Sequence, residues 1–175
     1  MIISDILYYK INMKQPKYLD TKIVFQEVPD EISLAINITG CPCNCDGCHS
    51  PYLAEDTGEI LSEKALSGLI EANPGITCAC FMGGVAYKPE LVDLFRFVKE
   101  QYGLKTCWYS GQNMDYGYEG LKWLDFIKAG PYVKDKGPLD FPSTNQRFYQ
   151  VSYDDRYDTI GLKNLTYRFL SSSPA

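Results

Sequence analysis

Residues Ile32 to Ile38 alternate apolar with small or polar side chains, the period-two pattern of a strand, and lead directly into Gly40 and a group of cysteines. Downstream the period changes. Ser62 stands where a helix N-cap belongs, Ala65, Leu66, Leu69 and Ile70 recur at helical spacing, and Asn73-Pro74-Gly75 ends the element. Ile76 to Met82 is a nearly continuous apolar run closed by Gly83-Gly84, which predicts a buried strand feeding a tight turn. Pro89 suits the first turn of a second helix, with Leu91, Val92, Leu94, Phe95 and Val98 on one stripe and Gly103 as its stop. Leu104 to Tyr109 predicts another strand, ending in Ser110-Gly111. A further helix is expected around Tyr118 to Leu124, then a short strand from Phe126 to Lys128.

Strand–helix alternation of this kind predicts an α/β fold with a mainly parallel sheet, in which loops leaving the C-terminal ends of the strands build the site. Three of those ends carry unusual residues: the cysteines after the first, Gly83-Gly84 after the second and Ser110-Gly111 after the third. They are expected to converge on one rim.

At 175 residues the chain suits a single domain, 1–175, with its core at about 32–150 and a frayed tail at 171–175. There is no internal repeat and no long linker. A 45% hydrophobic and 22% charged composition is that of a soluble globular protein. A net charge of −5 with 17 basic residues argues against a nucleic-acid partner, which needs a clustered basic footprint. No apolar run approaches the roughly 18 residues of a membrane span. Met1-Ile2-Ile3-Ser4-Asp5 lacks the basic start of a secretory signal, so a cytoplasmic protein with no membrane partner is expected.

Seven cysteines change the picture, because Cys41, Cys43, Cys45 and Cys48 fall within one eight-residue stretch. Disulfides between such close neighbours would close tiny strained loops, and a cytosolic chain is kept reduced. Metal binding or redox chemistry is the commoner use of such a group. Cys41, Cys45 and Cys48 have the spacing C-x3-C-x2-C. Three thiolates so placed can reach three corners of a cubane iron–sulfur cluster, leaving one iron open to a small ligand. A structural zinc site including Cys43, a Cys45–Cys48 dithiol and plain buried cysteines are the rival readings. Cys43 is read as a bystander and as the substitute ligand should the assignment fail. Cys78, Cys80 and Cys107 lie in strand-like runs and read as core residues.

The stretch Gly40-Cys41-Pro42 through Gly47-Cys48-His49-Ser50-Pro51 resembles the signature of the radical S-adenosylmethionine (radical SAM) enzymes. More narrowly it resembles the activating proteins of anaerobic ribonucleoside-triphosphate reductase. Met82-Gly83-Gly84, Tyr109-Ser110-Gly111, Gly130-Pro131-Tyr132 and Thr144-Asn145-Gln146-Arg147 fit the same family, so the resemblance covers roughly Ile32 to Tyr149.

That resemblance implies an open partial (β/α) barrel, with Cys41, Cys45 and Cys48 holding a [4Fe-4S] cluster whose open iron binds S-adenosyl-L-methionine. It implies reductive cleavage of that cofactor and formation of a glycyl radical on the large subunit of the anaerobic reductase. The electron would come from a donor such as reduced flavodoxin or ferredoxin. Activation of another glycyl-radical enzyme and a zinc-stabilised interaction module are the alternatives. Gly83 and Gly84 match a motif that lies against the methionyl part of the cofactor, and Gly47, Cys48 and His49 would pack near its adenine. The third position of the glycine motif is Val85 rather than an acid. Gln146 and Arg147 match a late family pattern, Arg147 either pairing with a ligand carboxylate or bracing a loop. Most of the 14 tyrosines read as half-buried side chains, with Tyr116 and Tyr118 also candidates for a docking surface.

Overall fold

The structure, a computed structural model, describes residues 14–170; the readings on Met1–Asp5 and on the tail Ser171–Ala175 lie outside the described residues. Eight strands form one sheet: β1 (Lys17–Val24), β2 (Ser33–Ile38), β3 (Glu59–Ile60), β4 (Cys78–Gly83), β5 (Lys105–Tyr109), β6 (Phe126–Ala129), β7 (Arg147–Asp154) and β8 (Thr159–Asn164). Two α-helices, α1 (Glu63–Glu71) and α2 (Lys88–Tyr102), complete the regular structure of the described residues. The strand order is β3-β1-β2-β4-β5-β6-β7-β8.

The expectation of an open partial (β/α) barrel with a mainly parallel sheet is overturned. Only the central block β2-β4-β5-β6 is parallel; β1 and β3 on one flank and β7 and β8 on the other pair antiparallel, four ladders against three. The helix expected at Tyr118 to Leu124 is a short 3-10 segment, Glu119–Trp123. Gly120 explains part of this, because a Cβ there would lie 2.4 Å from the Tyr118 ring. Thus β5 passes to β6 without a helix. The flanking strands escaped the sequence reading because they are half-exposed and mix charged with apolar positions, as in Lys17-Tyr18-Leu19-Asp20-Thr21-Lys22.

The expected helices formed for local reasons. Ser62 accepts the Ala65 N–H at 3.2 Å as N-cap of α1, and Gly103 ends α2 at φ 61° in the left-handed region. Leu66, Ile70, Leu91, Phe95 and Val98 pack against Ile36, Ile38, Phe81 and Trp108 on one face of the sheet. Phe81 and Phe95 meet edge-on with centroids 5.0 Å apart. Among the described residues the other face carries no α-helix. There Cys78, Cys80, Cys107, Phe126 and Phe148 are covered by Val28, Leu139 and Leu165 from irregular segments. Cys78, Cys80 and Cys107 are fully buried core residues, as expected, and burial pushes the Cys78 and Cys107 thiols well up. No helix among the described residues is long and apolar enough to cross a membrane.

Phe95 is fully buried beneath α2 between Phe81 and Trp108. Phe95→Ala is expected to lower unfolding free energy by roughly 3–5 kcal/mol, read as a shifted midpoint in urea denaturation. A shift under about 1 kcal/mol would mean that the helical layer is not what holds the sheet.

Candidate functional site

Register brings the ends of the parallel strands level. Ile38 pairs with Gly83, Met82 with Tyr109, and Tyr109 with Lys128, so β2, β4, β5 and β6 finish on one rim. The three loops expected to converge there do so.

The cysteine loop leaves β2 and crosses this rim. It starts at Gly40, with φ 72°, where a Cβ would lie 2.8 Å from the Tyr87 hydroxyl; only glycine fits that turn. The N–H groups of Gly40 and Cys41 donate to the carbonyls of Glu55 and Leu53, at 3.0 and 2.9 Å, anchoring the loop to the segment that returns from it. Midway, Cys43 Sγ occupies the space over Gly111, 2.8 Å from where a Cβ would stand, which puts the loop on the residues after β5. At Gly47 a Cβ would lie 3.5 Å from the Tyr132 ring, so the loop also reaches the segment after β6. Cys48 closes a turn by donating its N–H to the Cys45 carbonyl at 3.1 Å, and its Sγ accepts the Ser50 N–H at 3.4 Å.

Cys41, Cys43, Cys45 and Cys48 are all free and half-buried. Among the described residues no three His, Cys, Asp or Glu side chains are grouped closely enough to hold a metal ion. The loop therefore gathers its thiols in one neighbourhood without assembling a ligand cage. Cys43 stands apart chemically. Burial, then the neighbouring Cys41, pushes its pKa up to about 11, so at neutral pH it is a packed, protonated thiol.

Facing Cys43, Cys45 and Cys48 is a residue the sequence reading passed over. Lys128 on β6 is only 8% exposed, and its Nζ donates to the Gly130 carbonyl at 2.9 Å. Burial lowers its pKa to about 8, with the neighbouring Cys45 the largest opposing influence. One of its three N–H donors is thereby used within the protein. The available signal was a lysine inside the otherwise apolar strand Phe126-Ile127-Lys128-Ala129, since lysines are almost never buried without a partner. Nearby, the buried Asn145 Oδ1 has no hydrogen-bond partner while Nδ2 donates to the Pro131 carbonyl at 3.0 Å. Gly130, at φ 112°, lets the Gln146 backbone approach, with a Cβ there 3.1 Å from Gln146 Cα; Gln146 itself is buried.

The remaining residues singled out from the sequence fall as follows. Gly83 and Gly84 adopt φ 92° and 76°, a conformation disfavoured for residues bearing a Cβ, and the Gly83 carbonyl accepts the Trp108 Nε1–H at 2.6 Å. Val85 is buried in the core and offers no polar atom to the rim. His49 is exposed, its Nδ1 3.4 Å from the Ser50 hydroxyl. Arg147 braces its own loop, with Nη1 donating to the carbonyls of Thr144 and Gln146 at 2.7 Å each. Tyr118 packs on Trp108 and donates to the Lys88 carbonyl, whereas Tyr116 is exposed.

No protein-family model, curated protein or solved structure matches this chain.

Lys128 carries a pH prediction. A lysine held at about 8 instead of 10.5 binds fewer protons folded than unfolded between those values, so its penalty is full below about pH 8 and fades as pH rises through the window. Lys128→Met is therefore expected to be more stable than the parent chain at pH 7, by at most about 3 kcal/mol, with the gap narrowing toward pH 10.5. Urea denaturation of both chains from pH 7 to 10.5 measures this. A gap that stays constant would refute the depressed lysine.

Proposed function

We propose that the chain is a radical SAM activase, holding a [4Fe-4S] cluster on Cys41, Cys45 and Cys48 and generating a glycyl radical on anaerobic ribonucleoside-triphosphate reductase. The observation that carries this reading is the path of the cysteine loop across the shared rim of four parallel strands, against a buried cation with donors to spare. The reading does not depend on the (β/α) barrel that the structure overturns, since four parallel strands suffice to bring the loops together.

The donor set suits such a cluster: three soft thiols on one loop, with Cys43 set apart by its packing against Gly111. When bound, the cluster and S-adenosylmethionine supply one-electron chemistry for hydrogen-atom abstraction from glycine. This chain's own residues bind and orient. Gly83 and Gly84 leave the main chain open to close approach, and the exposed His49 ring offers a flat surface next to Gly47 and Cys48. Lys128 is placed to meet an anionic group, and the cofactor's carboxylate is the anion the reaction provides. The ammonium falls to main-chain carbonyls, because Val85 has no acceptor. The electron would come from a donor such as reduced flavodoxin or ferredoxin.

Anaerobic reconstitution with iron and sulfide, reduction and addition of S-adenosylmethionine tests the reading, with 5′-deoxyadenosine measured by mass spectrometry. The parent chain and Cys43→Ala are expected to form product; Cys41→Ala, Cys45→Ala and Cys48→Ala are not. Lys128→Met is expected to raise the KM for S-adenosylmethionine by about tenfold or more, the loss of one charge-assisted hydrogen bond. A parent chain that takes up zinc and no iron–sulfur cluster would overturn the proposal.

A further inference from the structure

Among the described residues, the face of the sheet opposite α1 and α2 is covered only in part. A cleft of about 670 Å³ opens there, with Tyr109 in its lining and the segments around Glu27, Leu139 and Phe169 around it. Its size is that of a binding pocket. Phe25, Leu139 and Phe169 give it apolar walls, and Phe25 is 67% exposed. Covering Phe25 together with the cleft would remove that apolar surface from water.

Charge decides what can cover it. Glu27, Asp30 and Asp140 line the cleft, and among the described lining residues Arg168 is the sole cation. Arg168 is already engaged, its Nη2 lying 2.9 and 3.1 Å from the two Asp30 carboxylate oxygens. Glu27 and Asp140 have no cation beside them in this lining. Phosphates and nucleic acids are repelled by such a rim; a cationic group next to apolar ones is attracted.

The track is longer than one small molecule needs. A second hollow of about 310 Å³ is built on the same two segments, with Pro142 following Leu139 and Asp140, and Tyr167 and Leu170 flanking Arg168 and Phe169. Tyr167 and Phe141 are well exposed beside it. Hollows lined by successive residues of the same two segments, with aromatic side chains exposed beside them, suit an extended polypeptide.

We propose that this cleft docks an extended segment of a partner protein that carries a Lys or Arg side chain among apolar residues. The proposal rests on the reading above that the reaction occurs on another protein's backbone, and it identifies where that protein is gripped. Tyr109 links the two places: its side chain lines the cleft and donates its hydroxyl to the Glu27 carbonyl, while its backbone ends β5 on the rim.

Fluorescence anisotropy with two labelled hexapeptides, LRFGLK and LEFGLE, tests this on the full chain, before and after cluster reconstitution. The cationic peptide is expected to bind, the acidic one not. Asp140→Lys and Phe25→Ser, both at exposed positions away from the rim, are expected to weaken the cationic peptide about tenfold each. Equal binding of both peptides, binding of neither, or variants that bind like the parent would overturn the proposal. So would a parent chain that sediments as a dimer and a Phe25→Ser variant that sediments as a monomer, because the occupant would then be a second copy. Formation of 5′-deoxyadenosine without partner, measured on the same preparations, separates the two readings. Product without peptide binding removes the docking cleft alone. Peptide binding without product supports the cleft and counts against the radical chemistry.

Discussion

Parallel strands carry their apolar side chains on both faces, so both faces need cover. In this chain α1 and α2 cover one face of the β2-β4-β5-β6 block. The other is left to irregular segments bearing Val28, Leu139, Leu165 and Phe169. A helix on the second face would have filled the space over Tyr109 and closed the cleft beside it. Loops leave the space open, and the same parallel register sets the ends of four strands side by side beneath the cysteine loop.

At that rim the dominant physical fact is a lysine kept out of water. Desolvation disfavours its charged form, and the neighbouring Cys45 is the largest influence the other way. A buried cation facing soft acceptors is unfavourable alone and compensated by a ligand that brings negative charge. Functional sites tolerate such groups because the binding partner completes them. The unpartnered Asn145 Oδ1 on the neighbouring loop belongs to the same incomplete environment.

What could be read from the sequence was what local chemistry fixes. The N-cap Ser62, the stop at Gly103, the continuous apolar runs of β4 and β5 and the burial of Cys78, Cys80 and Cys107 are set by neighbours in the chain or by the residues' own hydrophobicity. The convergence of the strand ends was also legible, since it follows from parallel pairing of β2, β4 and β5. The antiparallel flanks were not. Strands β1 and β2, and β7 and β8, pair as neighbours in the chain, but the half-exposed composition of β1, β7 and β8 carries no clear period. Lys128 escaped for a related reason: its burial is a tertiary fact, and only its placement within an apolar strand hinted at it. The cleft was invisible altogether, because its walls come from residues 25–30, 138–140 and 168–169.

The candidate site on the rim and the cleft on the sheet face would make opposite electrostatic demands, and the fold keeps them apart. The rim has its cation at the end of β6 and favours a small anionic group, while the cleft has carboxylates and favours a cationic segment. On the two proposals, a ligand suited to one would be repelled by the other, so the two would not compete. Tyr109 joins them through a single residue, with its backbone in register with Lys128 and its hydroxyl on the Glu27 carbonyl. On the proposed reading, in which the chemistry acts on another protein's backbone, the rim would hold the reagent, the cleft would grip the substrate, and a short rigid element would join them. Strand β5, covered by α2 on one side and paired on both edges, is that element.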